Sequence, residues 1–70
     1  MKQITATIAG IISNVLVKQT DVVEVGQEVI VIESMKMQIP IESEIEGTVK
    51  EVKVKPGDFI NDGDIMLVLE

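Results

Sequence analysis

Hydrophobic and polar positions along this chain fall into short extended-type runs. The stretches "IISNVLV", "TVKEVKV", "VIVIE" and "MLVLE" last five to seven residues and are rich in valine, isoleucine and leucine. Gly, Asp, Asn and Pro punctuate between them, as in "KPGDFINDGD". Branched aliphatics at this spacing suit a pleated, half-buried surface, and the punctuating residues are those that turn a backbone. No window sustains a helical apolar period bounded by caps, so the pattern predicts an all-β fold.

The runs also repeat. Displacing the sequence by 37 positions lays residues 4–33 over 41–70 without a gap. Ile4/Ile41, Ile8/Ile45, Gly10/Gly47, Val15/Val52, Val17/Val54, Lys18/Lys55, Asp21/Asp58, Gly26/Gly63, Val31/Val68 and Glu33/Glu70 are identical pairs, and several others exchange one aliphatic for another. Glycines in step are hard to obtain from composition alone, so each half reads as one copy of a supersecondary unit. Two copies of three or four strands predict two sheets packed face to face about a pseudo-twofold axis, with residues 1–70 forming a single domain. Only residues 1–3 and the segment 34–40, "SMKMQIP", stand outside the copies, and the second contains Lys36.

Pairing "EVIVIE" with "MQIPIES" as a hairpin with a Met35-Lys36 loop sets Ile30 opposite Ile41, Ile32 opposite Ile39, Glu33 opposite Gln38 and Ser34 opposite Met37. The four isoleucines then share one face, whereas a one-residue slip would set Glu33 opposite Ile39 and mix the faces. This register places Lys36 at the hairpin tip. Two-residue loops favour Asn-Gly or Asp-Gly, because a type I′ turn needs positive φ at both central residues. Met and Lys resist that conformation, so either the loop breaks a local rule or a plain type I turn splays the strands.

Composition narrows the chemistry. Histidine, cysteine, arginine, tyrosine and tryptophan are all absent, and with them most general bases, nucleophiles, anion clamps and metal ligands, which argues against intrinsic catalysis. Among the carboxylates, Glu42, Glu44 and Glu46 alternate with Ile41, Ser43 and Ile45, the spacing of a solvated strand face. "NDGD" at 61–64 reads as a turn, since it lacks the regular oxygen spacing of a calcium loop. No metal site is expected. The net charge of −6 disfavours nucleic acid and suits a protein partner with a basic docking surface. The longest purely aliphatic run, residues 29–32, is far short of a membrane span, giving the expectation of a soluble, cytoplasmic protein with no membrane partner.

An exposed lysine is ordinarily a solvated charge and paired methionines are ordinarily gap-filling core residues. An exposed primary amine is also an acyl acceptor, and flanking thioethers offer an apolar handle to a modifying enzyme. Residue chemistry leaves both readings open. "ESMKMQ", the 37-residue repeat, "EVGQEV" and "KPGDFINDGD" together resemble the biotinyl/lipoyl attachment domain family over essentially the whole chain.

The resemblance implies a flattened barrel of two four-stranded antiparallel sheets, with Lys36 on a hairpin and the termini at the opposite end. It implies a non-catalytic biotin carboxyl carrier of a multi-component carboxylase. A biotin protein ligase would recognise Met35, Met37 and Glu33 and attach biotin to Lys36, which would then move carboxyl between biotin carboxylase and carboxyltransferase sites. The lipoyl branch usually shows Asp-Lys-Ala around its lysine, so methionine at both flanks favours biotin over lipoate on the same Lys36. Glu33 occurs in both branches. Some biotin carriers have a protruding segment in the first half; the ungapped repeat has none, pointing to a minimal, free-standing carrier. An unmodified β interaction module using the same fold is the alternative of a different class.

Overall fold

The computed structural model describes residues 2–70 and places strands along the valine- and isoleucine-rich runs. In chain order these are β1 (Lys2–Thr5), β2 (Gly10–Val15), β3 (Val22–Val23), β4 (Glu28–Ser34), β5 (Met37–Glu42), β6 (Gly47–Val52), β7 (Phe59–Ile60) and β8 (Ile65–Leu69). One antiparallel sheet has the order β1-β8-β6-β3 and the other β5-β4-β2-β7. The 37-residue displacement turns β1, β8, β6 and β3 into β5, β4, β2 and β7 respectively, so each sheet draws two strands from each half.

The symmetry reaches the register. Lys2↔Leu69, Ile4↔Leu67 and Thr5↔Ile65 in one sheet reproduce Ile39↔Ile32, Ile41↔Ile30 and Glu42↔Glu28 in the other, each with a bulge at the same place. The turns match too: the Lys18 N–H donates to the Asp21 carboxylate at 2.9 Å, and the Lys55 N–H to that of Asp58 at 3.1 Å. Across the halves, the Ile12 N–H donates to the Asp58 carbonyl at 2.8 Å and the Val49 N–H to that of Asp21 at 2.8 Å. Each copy's turn satisfies backbone donors of the other, which ties the copies into one unit.

Ile12, Ile30, Ile32, Met66, Leu67 and Leu69 are fully buried between the sheets, each contributing on the order of 2 kcal/mol by leaving water. Ser43, buried where the first copy has Ala6, donates its hydroxyl to the Ile45 carbonyl and accepts the Ile45 N–H at 3.3 Å. That exchange bends the chain. The alternation through residues 42–46 predicts a strand, but β5 stops at Glu42 and residues 44–45 form a bend. Glu42, Glu44 and Glu46 are exposed, yet only Glu42 lies on a strand.

Candidate functional site

The unrepeated segment forms the turn and outer strand of a hairpin at one edge of the second sheet. Pro40 sits exposed on β5, the edge strand, where its missing N–H discourages a further strand from adding there. The cross-strand pairs are Ile30↔Ile41, Ile32↔Ile39, Glu33↔Gln38 and Ser34↔Met37, the register that burial of the isoleucines demands.

This register leaves Met35 and Lys36 as the loop, with φ of 53° and 64°. Both values are positive, so the turn takes the primed geometry that follows strand twist rather than the splayed type I alternative. Packing of the hairpin overrides the preference of both side chains for negative φ. The tip end of the hairpin is held close to β2 by Gly10: a Cβ there would lie 2.5 Å from the Glu33 carbonyl oxygen and 2.7 Å from Ile32 Cγ2. Gly10 is the positioning residue that motif reading overlooks, although its match with Gly47 in the repeat marks it.

Lys36 is exposed, with Met35 91% and Met37 63% accessible beside it. Among the described residues no hydrogen bond or ion pair engages the Lys36 amine, whereas the Lys2 amine donates to the Glu46 carbonyl, the Lys53 amine pairs with Glu51, and Lys50 has interactions of its own. Glu33 is exposed in β4, between Gln38 of β5 and Ile11 of β2. The four predicted residues Glu33, Met35, Lys36 and Met37 thus lie within one hairpin end. A groove of about 710 Å³ opens between edge strands β1 and β5, lined by Gln3, Ile4, Pro40 and Ile41, and none of Met35, Lys36 and Met37 lines it. Among the described residues no group of three or more carboxylates is arranged to hold a metal ion.

The arrangement can present a primary amine to another macromolecule. Among the described residues it supplies no hydrogen-bonded partner to take the amine's proton, so a base for any acylation at this amine would have to come from the other macromolecule.

A family model described as "Biotin-requiring enzyme" matches residues 2–69. The chain is 52% identical over 66 residues to a biotin/lipoyl attachment protein of Bacillus subtilis (strain 168), covering 94% of this chain and 90% of that one. It is 44% identical over 61 residues to the human mitochondrial propionyl-CoA carboxylase alpha chain, covering 87% of this chain but 8% of that much longer protein. The structure of Kluyveromyces lactis urea carboxylase superposes with a TM-score of 0.90 at 28% identity, over 99% of this chain and 6% of that one. Fold, repeat and sequence similarity agree over nearly the whole length, and the chain belongs to the biotin/lipoyl attachment domain family.

Proposed function

We propose that Lys36 is the attachment point for biotin and that the chain acts as a biotin carboxyl carrier. The observation that carries this reading is a primary amine with no partner among the described residues, at a two-residue tip between two exposed methionines. The Lys36 nitrogen attacks the acyl carbon of an adenylate made by a biotin protein ligase; a C–N bond forms, the acyl–phosphate C–O bond breaks, and AMP departs. The lysine proton passes to a base of the ligase. Met35 and Met37 give that enzyme apolar surface, and Glu33 gives it a fixed negative charge.

Once attached, biotin supplies a carrier atom for carboxyl between a biotin carboxylase and a carboxyltransferase. The protein contributes tethering: Lys36 is exposed at the end of a hydrogen-bonded sheet, so a group attached there would be held at high effective concentration for successive sites. Similarity to a propionyl-CoA carboxylase alpha chain supports a carboxylase setting.

The test is a streptavidin blot beside an anti-lipoyl blot of the protein from its native cell, with peptide mass spectrometry. Biotin on the peptide containing Lys36, lost in Lys36→Ala, is the expected result. Lipoate on that peptide would replace biotin by the other cofactor of the family, and modification at Lys18 or Lys55 would overturn the site.

A further inference from the structure

The internal repeat supplies its own control for reading the surface beside the hairpin. One sheet row runs Phe59 (β7), Ile11 (β2), Glu33 (β4), Gln38 (β5), each paired with the next. Its counterpart in the other sheet contains Val22 (β3), Thr48 (β6) and Glu70, where Val22 pairs with Thr48 and the backbones of Thr48 and Glu70 exchange hydrogen bonds. Both rows perform the same structural task. They differ on the outside in size and polarity: Phe59 and Ile11 are 65% and 49% exposed, whereas their counterparts are Val22, no less exposed at 69% but smaller, and the polar, half-buried Thr48. The core does not call for the larger apolar pair, since the residues that follow them, Ile60 and Ile12, are buried at 4% and 1% exposure, as their counterparts Val23 and Val49 are in the other sheet.

The enlarged pair belongs to the Lys36 sheet and lies at its tip end. Glu33 is one residue before Ser34, the last residue of β4, and Ile11 and Phe59 are one and two strands across from it, about 5 and 10 Å at ordinary strand spacing. Apolar side chains, a carboxylate and the tip therefore form one continuous exposed face. We infer that Phe59 and Ile11 extend the docking surface for the ligase that acylates Lys36, an enzyme presenting an apolar contact flanked by a basic group opposite Glu33. This rests on the carrier reading above.

The ligase is the fitting occupant because it must bring an acyl carbon to bonding distance of the lysine nitrogen itself, which presses the adjoining sheet surface against it. Enzymes that act after attachment reach the cargo along a lengthened side chain and have less need of that surface. The net charge of −6 and the carboxylate within the row complement a basic partner.

The experiment measures biotinylation kinetics of the full chain with a purified biotin protein ligase, ATP and biotin, for wild type, Ile11→Thr, Phe59→Thr, the double variant and the control Val22→Thr. The double variant should raise KM for the carrier roughly tenfold with little change in kcat, the single variants should each raise it less, and Val22→Thr should leave it unchanged. Amide shifts of the wild-type chain titrated with the ligase provide a readout that needs no variant to fold: signals of Ile11 and Phe59 should move or broaden and those of Val22 and Thr48 should not. Equal kcat/KM for all variants, equal loss in Val22→Thr, or unperturbed Ile11 and Phe59 signals on a wild type that is biotinylated would overturn the docking surface alone. A wild-type chain that accepts no biotin would overturn the carrier reading and the ligase surface with it.

Discussion

Replacing Met35 by Asn and Lys36 by Gly should make the protein more stable while removing the acceptor lysine. Both loop residues hold positive φ, 53° and 64°, a conformation that costs a residue bearing a Cβ about 1–2 kcal/mol. Glycine at the second position removes that cost but gains about 0.4–1 kcal/mol of unfolded-state freedom, leaving a net gain of roughly 0.5–1 kcal/mol. Asparagine tolerates the left-handed region better than methionine and adds a few tenths of a kcal/mol. Little packing is lost, since Lys36 is exposed and Met35 is 91% accessible.

The total is about 1 kcal/mol, which for a domain of this size raises Tm by roughly 4–8 °C. Lys36→Ala keeps a Cβ at the same φ, so its Tm should stay within about 3 °C of wild type. Thermal unfolding followed by circular dichroism on the three proteins separates these expectations. If the Asn-Gly variant melts no higher than Lys36→Ala, the loop stores no conformational strain and the primed-turn reasoning fails.

Gly63→Val should lower stability by about 2–3 kcal/mol, because a β-branched residue is strained at φ 91°, and no atom within 4 Å of the added Cβ can be blamed; a denaturant midpoint equal to that of wild type would refute it. Gly26→Val, at φ 87° in the matching turn, should behave alike. Exchanging Met35 for Asp and Met37 for Ala leaves the Ile30↔Ile41 and Ile32↔Ile39 pairs intact, so the tip should persist while biotinylation falls sharply and lipoylation appears or rises. Unchanged biotinylation kinetics would show that the ligase reads fold and tip position and not the two methionines.

Short runs rich in Val and Ile with no helical period, the repeat and the isoleucine register are enough to derive an all-β pseudo-twofold fold and to place Lys36 at a hairpin tip. They suffice because a slipped strand would turn its apolar face to water, a penalty written into the order of residues. Turn conformation is not written that way. Thr20 has φ 80°, matching the 95° of Gly57 in the other copy, and Met35 and Lys36 also hold positive φ; local propensity argues against all three, and the closing of strands on either side imposes it. Residues 42–46 alternate like a strand, yet the Ser43 exchange with Ile45 bends them where the chain crosses toward the other sheet. Glu33 was visible beside Lys36 in the sequence, but its adjacency to Ile11 and Phe59 depends on the antiparallel pairing of β2 with both β4 and β7. Lateral neighbours in a sheet are chosen by which strands close the barrel, a three-dimensional condition that no single strand's pattern contains.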